Sequence, residues 1–326
     1  MKRAFATGGS GFVGGRLITA LRARGVEVAA LARSDSSAAK VETLGATPVK
    51  GDLDDVAALE AGMAGCDTVF HAAAHTDQFD PVEVHMRINA KGTENVLAAA
   101  RKAGVKRVVH VGTEAVLADG KPIVRADESR PLPKHPMGAY PLTKGLAEQA
   151  VIAANRDGLE TVVVRPRFVW GKGDTTVLPE MIDAVKRGRF GWIAGGHYLT
   201  SIVHVDNVVE GMLLAADKGA PGQIYFLTDG EPVEFRDFIT KLLATQGVSV
   251  GNRNVPRWLA RTTVSLTSWM KKPPLTKTAF ALIAHEVTVD DTKARRELGY
   301  VGKKQQAEGL SEMAIASKAT MTSALR

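Results

Sequence analysis

The chain has 326 residues, of which 45% are hydrophobic and 24% are charged, a mixture typical of globular proteins that excludes disordered and collagen-like chains. Its 42 Lys and Arg residues against 35 Asp and Glu residues give a net charge of +7, but these cations are dispersed, so we expect no nucleic-acid partner. The single cysteine, Cys66, excludes an internal disulfide framework. No apolar run approaches the roughly 18 residues of a membrane span, and we predict a cytoplasmic protein.

The first half of the sequence alternates between apolar strands and helices. Strands are predicted at Ala4–Ala6, Val26–Leu31, Thr47–Val49, Thr68–His71, Arg107–Val111 and Glu160–Val164. The longest helix is predicted over residues 80–103. Strands that are apolar from end to end, each followed by a helix, indicate a parallel sheet covered on both faces. We therefore predict an α/β fold, a Rossmann-type doubly wound parallel sheet.

From Gly171 onward the pattern loosens, and helices are predicted near residues 177–187, 205–217, 234–246 and 255–270. We predict a cofactor-binding domain at residues 1–170. Residues 171–326 are predicted to form mainly a smaller substrate-binding lobe, with segments such as Gln223–Leu227 returning to the sheet.

The last of these predicted helices carries an apolar stripe. Its members are Trp258, Leu259, Leu266, Trp269 and Met270. Core packing is the first interpretation of such a stripe. The alternatives are a lid over an apolar substrate and a contact with a membrane surface.

A glycine-rich segment follows the first strand directly and opens the first helix. The spacing is Gly9-x-Gly11-x-x-Gly14. Glycines at these positions allow a tight turn and let the backbone approach a pyrophosphate, while the helix N-terminus supplies free N–H groups. In this strand–helix context the motif predicts a dinucleotide-binding loop.

The end of the second strand bears on which dinucleotide binds. An acidic residue usually stands there and holds the ribose hydroxyls, but this position falls near Ala32, with Arg33 next and Lys40 one helix step later. Both cations would attract a 2′-phosphate, so we predict NADP(H) as the preferred cofactor, with NAD(H) as the alternative. Arg33 also reads as an ordinary surface charge. Asp52, after the third strand, could accept from an adenine amino group or cap the following helix.

Tyr140 and Lys144 lie one helical turn apart, so the phenol and the ammonium share a helix face. A nearby ammonium stabilises a phenolate, and we expect Lys144 to lower the pKa of Tyr140 and prepare it for proton exchange. Thr113 follows the fifth strand and is expected at the carboxyl end of the sheet, where ligands of such folds bind. We predict a catalytic group of Thr113, Tyr140 and Lys144.

Several motifs occur in the order found in extended short-chain dehydrogenase/reductases. They are TGGSGFVG, GDL, HAAA, NAKGTENVL, HVGTEAV, YPLTK and VVVRPRFVWG. The sequence most resembles the branch of 3β-hydroxysteroid dehydrogenases and dihydroflavonol reductases. One departure is Thr113, where Ser is commoner, but the hydroxyl is kept.

This resemblance implies a role for each matching residue. Tyr140 would be the acid/base, Lys144 its tuner and a ribose ligand, and Thr113 a donor to the substrate oxygen. Asn89 would brace the fourth and fifth strands. The implied cofactor-binding residues are Gly8, Gly11, Phe12, Val13, Arg33, Lys40, Asp52, Leu53, Ala72, Ala73, Ala74, Tyr140, Lys144, Pro166 and Val169.

The implied activity is NADP(H)-dependent interconversion of a ketone or aldehyde and an alcohol. The branch resemblance and the Trp-rich lobe favour an apolar substrate, such as a steroid-like, fatty β-keto or aromatic carbonyl compound. Phe79, Trp170 and Trp192 are the candidate substrate residues. The resemblance also implies a homodimer. We expect no metal at His71 and His75, because their spacing lacks the Glu of a metalloprotease motif.

Two other functions are compatible with the fold. One is an NAD-dependent sugar-nucleotide epimerase or dehydratase, for which Arg187 and Arg189 could contact the nucleotide sugar. The other is a non-catalytic NADP-binding sensor. The absence of an acid near Ala32 argues against the first, and the joint presence of Thr113, Tyr140 and Lys144 argues against the second.

Overall fold

The structure, a computed structural model, describes the backbone of residues 1–324 and the side chains of residues 1–317. The strands are β1 (Arg3–Thr7), β2 (Glu27–Ala32), β3 (Thr47–Lys50), β4 (Thr68–His71), β5 (Arg107–Val111), β6 (Ile123–Ala126), β7 (Glu160–Pro166), β8 (Val169–Trp170), β9 (Trp192–Ile193), β10 (Leu199–Thr200), β11 (Val203–His204), β12 (Ile224–Leu227), β13 (Val233–Glu234), β14 (Asn254–Val255) and β15 (Val287–Val289).

The helices are α1 (Phe12–Ala23), α2 (Asp35–Thr43), α3 (Val56–Met63), α4 (Val82–His85), α5 (Gly92–Lys102), α6 (Ala139–Ala153), α7 (Val177–Lys186), α8 (Val205–Lys218), α9 (Phe235–Ala244), α10 (Arg257–Thr267), α11 (Lys277–Ile283), α12 (Thr292–Leu298) and α13 (Gln306–Ala324). Within the described residues, no helix is both long and apolar enough to cross a membrane.

Seven parallel strands form the central sheet in the order β12-β7-β5-β4-β1-β2-β3. Helices α1, α8 and α12 cover one face of this sheet, while α3, α5 and α6 cover the other. The predicted doubly wound α/β fold is therefore confirmed. The strand order reverses between β1 and β4, and this reversal opens a crevice at the carboxyl ends of the two strands.

A second sheet has the order β13-β10-β15-β6. It draws β6 from the first half of the chain, and the central sheet takes its edge strand β12 from the second half. The two lobes therefore each contribute a strand to the other, and the boundary near residue 170 stays a prediction. The core of the second lobe is aromatic, with Trp170, Trp192 and Phe238 all fully buried.

The helix predicted over residues 80–103 is not uniform. It runs through α4 and α5, but a π-helical turn at Met86–Lys91 separates them. Such turns hold one extra residue and are frequent at functional sites. Sequence periodicity does not register a single inserted residue.

The first interpretation, that the apolar stripe of α10 packs in the core, is wrong. The inner side of the helix buries Ala260 and Val264 against α11. The outer side exposes Trp258 to 70% and Leu266 to 69%, and Trp269 beyond the helix end is 83% exposed. We call these three residues the α10 apolar face. The small residues of the helix, not the large ones, make its packing contact.

Candidate active site

The glycine loop joins β1 to α1. Gly8 has a φ of +72°, and a Cβ there would lie 2.7 Å from the backbone nitrogen of Ala73. A Cβ on Gly14 would lie 2.1 Å from the carbonyl oxygen of Gly8. Gly11 caps α1 without a side chain, so the N–H groups of the first turn, at Phe12 and Val13, have no side-chain cap. This close-packed loop at a bare helix N-terminus fits a dinucleotide pyrophosphate.

The end of β2 carries exposed cations. Arg33 and Lys40 are both exposed, and among the described residues neither has an ion-pair partner. The acid nearest in sequence, Asp35, is paired with Lys50 at 2.7 Å. Ala32 ends the strand, so a carboxylate is missing at the position that normally binds the ribose hydroxyls.

Asp52 is exposed after β3, and its carboxylate accepts from the backbone N–H of Asp54 at 2.8 Å and of Asp55 at 3.1 Å. The following helix, α3, begins at Val56 and is capped by Asp55, so Asp52 closes the preceding turn rather than capping α3. Leu53 is buried and packs against Gly92.

A hydrogen-bond chain lies behind the segment that contains Ala72, Ala73 and Ala74. The Thr7 hydroxyl accepts from the Ala73 N–H at 3.2 Å and lies 2.7 Å from His71 Nδ1. His71 Nε2 lies 2.9 Å from the Thr93 hydroxyl. Burial lowers the pKa of His71 to about 3, so the ring is neutral. His71 thus fastens the loop after β4 by using both ring nitrogens.

Asn89 lies in the π-helical turn. Its side chain accepts from the His75 N–H at 2.7 Å, donates to the His75 carbonyl at 3.0 Å and donates to the Thr143 hydroxyl at 3.1 Å. Asn89 therefore ties the loop after β4 to α6. The expectation that it braces the fourth and fifth strands is wrong, because its partners lie on this loop and on the helix.

Lys144 is 2% exposed on α6. Its ammonium donates to the carbonyl oxygen of Val111 at 2.8 Å and lies 3.1 Å from His110 Nε2. Burial lowers the pKa of Lys144 to about 8. The pKa of His110 is lowered well below its ordinary value by burial and by the Lys144 charge, so the histidine serves as a neutral acceptor.

Tyr140 is half-buried at the start of α6, with the Thr113 hydroxyl as a hydrogen-bonding neighbour. Burial raises the pKa of Tyr140, the negative charge of Glu114 raises it further, and the bond to Thr113 opposes both. The expectation that Lys144 lowers this pKa is wrong for this arrangement, because the ammonium is engaged by Val111 and His110. The phenol is protonated at neutral pH.

Sequence reasoning missed Glu114 and Arg167. Glu114 accepts from the Thr113 hydroxyl at 3.0 Å and pairs with Arg167 at 2.8 Å, and both are almost fully buried. Arg167 also donates to Thr200 at 3.2 Å and to the Leu282 carbonyl at 2.8 Å. The available signal was a charge within each of the apolar segments HVGTEAV and VVVRPRFVWG.

The substrate and nicotinamide candidates fall into two groups. Phe79, on the loop after β4, is 38% exposed, and Val169 is half-buried just beyond the buried Pro166 that ends β7. Trp170 and Trp192 are in the core of the second lobe. Their indole N–H groups donate to Asp229 and to the Gly251 carbonyl, at 2.8 and 2.9 Å respectively. Because both tryptophans are fully buried, we assign them to the core of the second lobe and not to the substrate site.

The arginines proposed for a nucleotide sugar are engaged with a neighbouring acid. Arg187 pairs with Asp183 at 2.7 Å, and Arg189 pairs with the same carboxylate at 3.2 Å. The two guanidinium groups share this one carboxylate on the surface of α7 and the turn after it.

The parallel sheet, the glycine loop at its reversal point and the Tyr–Lys helix define a nicotinamide-dependent oxidoreductase of the extended short-chain dehydrogenase/reductase type. Residues 5–257 match the 3-beta hydroxysteroid dehydrogenase/isomerase family. The chain belongs to this family. It is an NAD(P)-dependent oxidoreductase that acts on CH–OH groups.

Three known proteins illustrate the relationship. A 4-hydroxy-2-methyl-3-oxo-4-farnesyl-3,4-dihydroquinoline-1-oxide ketoreductase of Stigmatella aurantiaca is 52% identical over 97% of each chain. A decarboxylating sterol-4-alpha-carboxylate 3-dehydrogenase of Dictyostelium discoideum is 33% identical over 96% of this chain and 100% of the relative. A dTDP-glucose 4,6-dehydratase of Streptomyces venezuelae, solved with NAD bound, is 25% identical with a TM-score of 0.77, over 96% of this chain and 95% of that one.

Proposed function

We propose that this protein is an NADP(H)-dependent ketoreductase that interconverts a ketone or aldehyde and an alcohol on an apolar substrate. The observation that carries the proposal is the grouping at the end of β5. Tyr140 lies beside Thr113 there, and Lys144, one turn later on α6, is anchored to Val111. The names of two relatives support the substrate class, since a farnesylated dihydroquinoline oxide and a sterol carboxylate are both largely apolar molecules.

A bound nicotinamide supplies or accepts the hydride at the substrate carbon. In reduction the Tyr140 phenol, which is protonated at neutral pH, donates its proton to the carbonyl oxygen. The Thr113 hydroxyl, once turned from Glu114, donates to the same oxygen. Lys144, held by Val111 and His110 one turn after Tyr140, would bind the nicotinamide ribose.

The test of this mechanism is the oxidation of NADPH and NADH over a panel of carbonyl compounds. The panel contains steroid ketones, long-chain β-keto compounds, aromatic aldehydes and 4-keto nucleotide sugars. We expect turnover of an apolar ketone and a fall in kcat/KM of about 10² to 10⁴-fold in Tyr140→Phe, with cofactor affinity unchanged. Turnover of the nucleotide sugars alone, or full activity in Tyr140→Phe, would contradict the proposal.

The NADP preference is proposed from Arg33 and Lys40, two exposed cations that follow β2. Arg33→Ala should raise KM for NADPH about tenfold, the effect of one lost charge-assisted hydrogen bond. It should leave KM for NADH nearly unchanged. Arg156→Ala is the matched control, because Arg156 is an exposed arginine that precedes β7 at the amino end of the sheet. Equal losses for the two cofactors would remove the phosphate-binding role.

We also propose a homodimer formed through first-lobe helices. Val82, Met86, Leu142 and Leu146 on α4, the π-helical turn and α6 are each more than a third exposed. An apolar patch of this kind supports association. Sedimentation analysis of wild type and Leu146→Glu tests the proposal, and a monomeric wild type at micromolar concentration would contradict it.

A further inference from the structure

The α10 apolar face combines three large side chains on one side of a short segment. At 100° per residue, Trp258 and Leu266 lie about 80° apart on the helix, opposite the buried Ala260 and Val264, and Trp269 follows in the turn after the helix end. The Trp269 indole N–H donates to the Leu266 carbonyl at 2.8 Å, so the polar atom of that ring is satisfied locally. What faces water is aromatic and aliphatic surface.

The helix that presents this surface is firmly attached. Ala260 and Val264 pack against Phe280 and Ala284, and Arg257 donates from Nε to the Ala284 carbonyl at 2.7 Å. The exposure of the α10 apolar face therefore does not come from a frayed end. It is the outer side of a helix whose inner side is fixed to α11.

Positive charge surrounds the α10 apolar face. The segment of residues 238–285 contains seven Lys and Arg residues and no Asp or Glu, although the chain as a whole has 35 acids in 326 residues. Arg261, Lys271 and Lys272 are exposed beside the face. In the part of the chain that the structure describes, none of these three has an ion-pair partner. An uncompensated basic surface is complementary to an anionic one.

We propose that the α10 apolar face and its flanking cations dock the protein on an anionic phospholipid bilayer. Tryptophan is enriched at the level of lipid head groups, and a helix with an apolar face flanked by Lys and Arg lies in the plane of the bilayer surface. A second copy of the chain is the poorer occupant, because two such faces would bring their positive charges together. Charge complementarity thus selects the bilayer.

The docking surface adjoins the catalytic helix through α11. A Cβ on Gly138, which caps α6, would lie 2.1 Å from the Thr278 hydroxyl of α11. The Thr276 hydroxyl at the start of α11 also hydrogen-bonds Gln78 on the loop after β4. Docking therefore places the N-terminus of α6 near the lipid. The further idea that an apolar substrate reaches the site from the bilayer rests on the proposed function, but the docking itself does not.

Binding is measured with vesicles of phosphatidylcholine and phosphatidylglycerol in equal parts, against vesicles of phosphatidylcholine alone. Sedimentation gives the bound fraction, and tryptophan emission gives the location. Trp170 and Trp192 are buried while Trp258 and Trp269 are exposed, so a blue shift on binding reports the α10 apolar face. We expect a blue shift and strong sedimentation with anionic vesicles only, reversed by high salt.

Two double variants separate the apolar and the electrostatic contributions. Trp258→Ser with Trp269→Ser should abolish the blue shift and lower vesicle affinity at least tenfold. Lys271→Gln with Lys272→Gln should lower affinity for anionic vesicles about tenfold or more. Val124→Ser with Val301→Ser, and Lys91→Gln with Lys121→Gln, change exposed residues elsewhere and should bind like wild type.

Three results would overturn the proposal. One is wild-type protein that stays in the supernatant with anionic vesicles. Another is vesicle binding that the α10 variants leave intact, which would place the contact elsewhere. The third is a blue shift that grows with protein concentration without lipid and vanishes in the tryptophan variant, which would identify a second copy of the chain as the occupant. NADPH turnover of a water-soluble carbonyl compound is measured in parallel, so that failed docking is distinguishable from a failed enzyme.

Discussion

Helices α6 and α10 differ in the kind of side chain that each of them buries. Helix α6 buries the charged side chains of Lys144 and Glu148, each at most 3% exposed, and compensates both with partners on neighbouring strands. Helix α10 leaves Trp258 and Leu266 largely in water and buries only small residues. Burying a charge is costly, and α6 pays this cost on the helix for which we propose the catalytic role. Exposing a large apolar side chain marks the helix whose partner lies outside the chain.

The largest expected effect on stability is at the buried pair of α6. Arg165 donates from Nε to Glu148 at 2.7 Å, and both side chains are nearly inaccessible. Arg165→Met would leave Glu148 buried without its partner and should cost about 3–5 kcal/mol of unfolding free energy. Urea denaturation measures this loss. Most of it should return in Arg165→Met with Glu148→Leu, because then no charge remains buried.

An exposed pair provides the comparison for that experiment. Lys241 and Asp237 are paired at 2.7 Å but each is about half exposed. Lys241→Met should change the unfolding free energy by less than about 0.5 kcal/mol. Equal losses of unfolding free energy in Arg165→Met and Lys241→Met would show that the buried pair of α6 stabilises the protein no more than an exposed pair does.

The next effect concerns pH and Lys144. Its pKa is about 8 in the folded protein against an ordinary 10.5, so the folded chain binds fewer protons than the unfolded chain between these two values. Stability should therefore rise with pH across this window, by about 3 kcal/mol for this one group. The penalty of the buried charge is present in full below pH 8.

The measurement compares wild type with Lys144→Met by urea denaturation from pH 7.5 to 10.5. Other titrating groups contribute almost equally to both proteins, so the difference between the two unfolding free energies isolates Lys144. As the pH rises, the unfolding free energy of wild type should increase relative to that of Lys144→Met. A constant difference would mean that Lys144 is not held in a lowered-pKa environment.

The smallest effects are expected on α10. Val264→Ala removes buried methyl groups and should cost about 1.5 kcal/mol. Trp258→Ser removes a far larger side chain but should change stability by less than about 0.5 kcal/mol, because that side chain is exposed. Thermal unfolding of the two variants gives the ranking. A larger loss in Trp258→Ser would mean that the tryptophan packs against the protein in solution.

Much of the fold could be predicted because its signals are local. Most strands of the central sheet contain an apolar run, and the glycine loop is defined by three residues next to the first strand. The two-residue strands of the second lobe carry too few residues for a periodic pattern. The position of Asn89 depends on a π-helical turn, which no spacing rule in the sequence reports.

The sequence predicted that Tyr140 and Lys144 share a helix, but it did not predict the charges and contacts around them. Tyr140 and Lys144 are on the same helix as predicted, yet Lys144 is drawn to Val111 and His110, which precede Thr113 on β5. The charge that most affects Tyr140 comes from Glu114. Likewise, the sequence pattern of the second lobe does not show which large apolar residues are buried, and both Trp192, which is buried, and Trp269, which is exposed, differ from the prediction.

The exchange of strands between the two sheets has a consequence for protein engineering. Substrate specificity in such enzymes invites chimeras that join the first lobe of one relative to the second lobe of another. A crossover near residue 170 would pair a native β7 with a foreign β12 and a native β6 with a foreign β15. In a functional chimera, residues 123–126 should therefore come from the same relative as the second sheet, and residues 224–227 from the same relative as the central sheet. Each pair of neighbouring strands then keeps the side chains of one relative.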